Sequence, residues 1–199
     1  MTKPDAGGNM MSTLVFRGFI FIIAAALLAP ASALCSPKKL VDDSEYSDKE
    51  FRKCNIPDYS NMVAGDDVNW VWIDPAVKLA GYKIKEGKVD NKSDIHSKKM
   101  VESVRDLFRD AFEDMKVEGA RGTLTADICI YWAENFSAGK AWIPFAGGHK
   151  MQAGMGVEMV LRDGKKVVAK FRHDAREGVQ IEAATQEVAG DLTKYIGNH

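Results

Sequence analysis

Apolar residues are arranged in two ways along this chain: one unbroken run near the start, and regular spacing after residue 67. Trp70 and Trp72 alternate with Val71 and Ile73, which predicts a strand over Val68–Ile73 ended by Asp74-Pro75, since proline has no N–H to give a ladder. Tyr82–Val89 reads as a second strand with Tyr82 and Ile84 on one face. From Ser97 to Met115 the period changes. Met100, Val104, Leu107, Phe108, Ala111, Phe112 and Met115 recur at steps of three and four, an amphipathic helix with a charged opposite face that includes an Arg109–Glu113 pair. Gly119–Gly122 breaks it. Leu124, Ala126, Ile128, Ile130 and Trp132 then alternate with polar positions as a strand with one core-bound face. Met155–Leu161 and Val167–Phe171 alternate around Asp163-Gly164, a strong short hairpin signal. Ile181, Ala184, Val188, Leu192, Tyr195 and Ile196 form a closing helix, with Gly197 placed as its C-terminal cap residue.

Two helices with one apolar stripe each need a surface to cover. The expected fold is α+β, a two-layer sandwich of a mostly antiparallel four- to five-stranded sheet with both amphipathic helices on one face, in a single domain over 67–199. Residues 34–66 are polar and irregular and read as an N-terminal arm. Tyr46, Phe51, Ile56, Tyr59 and Met62 are the side chains available to pin it.

The unbroken run is Gly18–Leu28. Arg17 precedes it and Ala31-Ser32-Ala33 follows it, the layout of a secretory signal peptide over 1–33, with Met10 or Met11 as alternative starts. The core is shorter than the roughly 20 apolar residues of a spanning helix. Cleavage after Ala33 would leave Cys35 beside the new N-terminus, a possible lipidation site, although the small residue that lipoprotein processing prefers is replaced by Leu34. Soluble export into the periplasm is the expectation, with a lipid anchor on Cys35 as the alternative. Export permits a disulfide. Cys35–Cys54 is one pairing; Cys54–Cys129 takes its place if Cys35 carries lipid; and Cys129 unpaired in a strand is equally compatible with the sequence.

Cleavage leaves about 165 residues, enough for one domain with a core. Net charge is −1, and removing Lys3 and Arg17 against Asp5 brings it near −2. There is no basic stripe, which argues against nucleic acid.

Pro57-Asp58-Tyr59-Ser60, Trp72-Ile73-Asp74-Pro75, Leu79-Ala80-Gly81-Tyr82 and Gly154-Met155-Gly156-Val157-Glu158, with the Asp163-Gly164 turn and the closing helix, resemble a family of uncharacterised bacterial exported proteins. Many of its members are predicted lipoproteins. The resemblance covers roughly residues 57–197 and implies a Gram-negative envelope location and a non-enzymatic role. It brings no site residues, because the family is a domain of unknown function. The chain departs from the lipoprotein members at Leu34.

The motifs of catalysis are missing. His96, His149, His173 and His199 have no helical pairing, the Asp42-Asp43 and Asp66-Asp67 pairs lack calcium-loop spacing, and Gly147-Gly148-His149-Lys150 lacks the spacing of a phosphate loop. No catalytic residue, metal or cofactor is expected. Trp142, Ile143 and Phe145 in an apolar loop are candidate partner contacts, set against the alternative that they fold back over the sheet. The expected function is a non-catalytic envelope protein that binds a protein partner or the membrane surface; the alternative is a small-ligand or lipid binder using Met and aromatic side chains.

Overall fold

The computed structural model describes residues 36–42, 54, 56–115, 117, 119–136 and 152–199. Among these residues, six strands and two α-helices follow in the order β1 (Val63–Ala64), β2 (Trp70–Ile73), β3 (Tyr82–Asn91), α1 (Lys98–Asp114), β4 (Gly122–Glu134), β5 (Ala153–Asp163), β6 (Lys166–Glu177) and α2 (Ile181–Asn198). They make one sheet in the order β1-β2-β6-β5-β4-β3. The sheet is mixed α+β material as expected, with six strands rather than four or five. The surplus includes β1, too short to show a period, which the arm contributes against Val71 and Trp70. All pairings are antiparallel except β3–β4, which is parallel and takes α1 as its crossover.

Local chemistry explains the boundaries. Ser97 caps α1 by accepting the Met100 N–H at 3.2 Å, and Met100, Val104, Phe108 and Phe112 face inward. Arg109 pairs with Asp106 at 2.8 Å and Asp110 at 3.2 Å, in place of the expected Glu113. The β5–β6 loop is Gly164-Lys165, between the paired Asp163 and Lys166. Gly164 has φ +57°, a positive angle at the first central position, where glycine suits the turn. Gly197 does not cap α2: the helix runs through it to Asn198, and His199 is the cap.

The main core is built from one face of the sheet and the inward stripes of both helices. Ile84, Leu124, Ile128, Ile130, Met155, Val157, Met159, Leu161 and Phe171 meet Phe108, Val188, Leu192 and Ile196 there. A smaller cluster lies on the opposite side of the strands, where Trp70 and Val160 meet Leu40, Ile56, Tyr59 and Met62 of the arm, with Trp72 packed against them. Trp70 and Trp72 thus share a face, and it is the face away from the helices, called the outer face below.

Candidate functional site: charged side chains beneath a pinned strap

The polar positions of β5 and β6 that alternate with core residues land on the outer face. Glu158, Lys170 and Arg172 are there, each under 4% exposed. Glu158 and Arg172 are direct cross-strand partners, and Arg172 Nη1 donates to Glu158 Oε1 at 2.7 Å. The Tyr59 hydroxyl, carried over them by the arm, donates to Glu158 Oε2 at 2.8 Å and accepts the Ile56 N–H at 3.1 Å. Lys170 Nζ donates to the Pro57 carbonyl at 2.9 Å, to Asn61 Oδ1 at 2.6 Å and to the Asp58 carbonyl, and stands 4.7 Å from the Trp72 ring centroid. Residues 56–62 therefore form a strap whose own oxygens solvate a buried ammonium group.

Asp58 makes the tight bend this requires. It sits at φ 53°, unusual for a residue with a Cβ, and its side chain accepts the Ser60 N–H at 3.1 Å and the Ser60 hydroxyl. Those bonds hold the Asp58 carboxyl below the usual carboxylate range. Burial pushes the Tyr59 phenol up, and the neighbouring Glu158 charge adds to the shift. Burial also raises the Glu158 carboxyl, against the pull of Arg172 and the Tyr59 hydroxyl. Lys170 is lowered by burial, with Asp58 opposing.

The strap is pinned at its start by a Cys54–Cys129 disulfide with a Cα–Cα distance of 5.8 Å. This corrects the Cys35–Cys54 pairing and the unpaired reading of Cys129. The odd-numbered position in β4 faces outward, which puts Cys129 under the arm. The bridge borders a polar groove of about 170 Å³ with Lys88, Asp90, Asp127 and Arg162 on its walls.

Beyond the strap the outer face carries two aromatic rings side by side. A register shift between Ile130 and Trp132 sends both Tyr131 and Trp132 to this face, where simple alternation put Trp132 with the core. Each ring lies on a β5 glycine, Tyr131 on Gly156 and Trp132 on Gly154. Each is topped by an arginine of β6: Arg172 at 3.6 Å from the Tyr131 centroid and Arg176 at 4.5 Å from that of Trp132.

Cys35, Trp142, Ile143, Phe145, His149, Tyr46 and Phe51 lie outside the described residues. Ile56, Tyr59 and Met62 do pin the arm. His173 faces α2, with Nε2 2.9 Å from Asp191 Oδ2 and Nδ1 2.7 Å from Asn69 Oδ1. His199 stacks on Tyr195. Among the described residues no group of His, Cys, Asp and Glu is arranged to hold a metal ion, and no helix is long and apolar enough to cross a membrane. Met100, Met155, Met159 and Phe108, the kind of side chains a ligand cleft would use, fill the core.

Sequence reasoning missed the buried charges because Lys170 and Arg172 alternate with Ala169 and Phe171 exactly as solvent-facing residues would. The available signal was Pro57-Asp58-Tyr59-Ser60, a turn-forming segment inside an otherwise featureless arm.

No protein-family model matches the sequence, and no curated protein matches it. Among solved structures, the PelC dodecamer from Paraburkholderia phytofirmans is similar over 61% of this chain and 92% of that one, at 9% identity and a TM-score of 0.42. A single-substitution variant of the same protein aligns over 62% of this chain and 95% of that one, at 13% identity and a TM-score of 0.39. A candidate lipoprotein from Caulobacter crescentus aligns over 61% of this chain and 88% of that one, at 14% identity and a TM-score of 0.30.

Proposed function

We propose that this chain is an exported protein of a Gram-negative cell envelope that works by binding a protein partner or the membrane surface, and not by catalysis. The observation that carries the reading is the Cys54–Cys129 disulfide. Such bonds persist in oxidising compartments and are rare in the cytosol, and this one stands downstream of an apolar run with the flanks of an export signal. The architecture we infer is a two-layer sandwich, helices against one sheet face, with the arm laid across the other. The buried charges suit a binding role better than chemistry. Glu158, Lys170 and Arg172 are engaged with one another, with the strap and with aromatic rings.

The test is fractionation of cells producing the full chain, followed by intact-mass measurement with and without reduction. A processed protein in the envelope fractions, heavier by two hydrogens after reduction, is the expected result. Unprocessed protein in the cytoplasm with free thiols would overturn the reading. Added acyl mass on Cys35 would select the anchored form. Replacing Trp142 and Phe145 with Ser should weaken crosslinking to an envelope partner if the apolar loop is the contact; unchanged crosslinking would remove the loop from the proposal.

A further inference from the structure

We propose that the part of the outer face carried by β3, β4 and the Arg162 end of β5 docks on an anionic phospholipid surface; the inference rests on the envelope reading above. Lys83 and Lys85 flank Ile84, whose side chain is in the core, so both stand on the outer face, and both are exposed. Their cross-strand neighbours are Thr123 and Thr125, and Thr125 in turn faces Arg162. After a register shift between Glu86 and Val89, Lys88 joins the same face with its side chain 71% exposed.

The carboxylates on this surface are already matched. Asp90 meets Lys88 at 2.7 Å, and Asp127 meets Arg162 at 3.0 Å while accepting the Lys88 N–H. Lys83 and Lys85 have no carboxylate partner among the described residues and supply the uncompensated positive charge. The other side of the molecule has the opposite sign: α1 and α2 together carry five basic and eight acidic side chains. A face with two unmatched ammonium groups, backed by an acidic layer, orients on a negatively charged plane.

Lysines on an edge strand also discourage pairing with other chains. Here the register break already interrupts the β3 edge, and Lys83 and Lys85 project from the sheet face rather than along its edge. Lys38 lies over the Trp70 ring, Leu40 packs in the outer cluster and Cys54 is bonded to Cys129, so both described pieces of the arm lie on the lysine-bearing side.

The experiment is flotation of the full chain carrying C35S, purified from the envelope so that no acyl chain contributes, with vesicles of phosphatidylcholine with and without phosphatidylglycerol. Expected are binding only to the phosphatidylglycerol vesicles, loss of binding with added salt, and roughly 30-fold weaker partitioning for K83Q/K85Q, from the worth of two lysines near an anionic surface. K98Q/K99Q, on exposed positions at the start of α1, should partition as the parent does. Circular dichroism confirms that each variant is folded. No binding to phosphatidylglycerol vesicles, or equal weakening by K98Q/K99Q, overturns the proposal. Binding instead to a soluble acidic protein through Lys83 and Lys85 overturns it in favour of a protein partner. Either failure with the protein correctly exported leaves the envelope reading standing, whereas retention in the cytoplasm removes that reading first.

Discussion

Tyr59 joins the arm to the sheet through one oxygen, which donates to Glu158 and accepts from Ile56. Tyr59→Phe should lower stability by about 1–3 kcal/mol, the range for leaving buried polar groups unsatisfied, read as a shift in denaturant midpoint. The same residue sets a pH dependence. Its folded-state pKa is raised above that of a free phenol, so its contribution is fully present below about pH 10 and is lost as pH rises toward the folded value. Midpoints followed from pH 8 to alkaline conditions should fall in the parent and fall less in Tyr59→Phe; parallel curves would contradict the assignment. The Arg172–Glu158 pair makes a sharper prediction. Arg172→Met strands a buried carboxylate and should cost about 3–5 kcal/mol, whereas Arg172→Met with Glu158→Leu should recover much of that loss, because removing both charges removes the desolvation penalty. If the double variant is no better than the single one, the arginine acts mainly through its stacking on Tyr131.

At the scale of elements, the outer end of β5 is shaped by the absence of side chains. A Cβ on Gly156 would stand 2.6 Å from Tyr131 Cζ, and one on Gly154 would run into the Trp132 ring. Gly156→Ala should destabilise by about 1–3 kcal/mol through overpacking, measured by thermal melting, and Ser97→Ala should cost about 1 kcal/mol through loss of the α1 cap. What was legible in the sequence follows the strength of each local signal. The α1 stripe, the β4 alternation and the β5–β6 hairpin all carry their own periods, and the structure places them within a few residues. The parallel β3–β4 pairing was not legible, since a strand's pattern says which face is buried and not which neighbour it joins. Trp132 was assigned to the wrong face because a bulge adds a residue without changing the alphabet of the strand. The strap was hidden for a different reason: its contacts reach from residue 59 to residue 158, and no local pattern encodes a separation of that size.

For the molecule as a whole, the disulfide encloses a loop of 75 residues, for which chain entropy suggests about 4 kcal/mol of stabilisation. C54S/C129S should therefore lose a large part of its stability, and limited proteolysis should then cut within 56–62 first, since the strap loses its covalent pin and is left to Tyr59, Lys170, its small apolar cluster and its backbone bonds; an unchanged cleavage pattern would mean those contacts suffice. The position of that covalent ring has a consequence for how the protein is made. If the chain is exported N-terminus first, Cys54, then β2, β3 and α1, then Cys129 reach the oxidising side before β5 and β6 do. Oxidation at that moment would close the ring around half a sheet whose central strands have yet to arrive. The platform of Glu158, Lys170 and Arg172 would then have to slide in beneath a strap already fastened at one end. Pulse-labelled chains sampled during synthesis would show whether the bond forms before or after the hairpin is released, and so whether the strap is laid down last or threaded first.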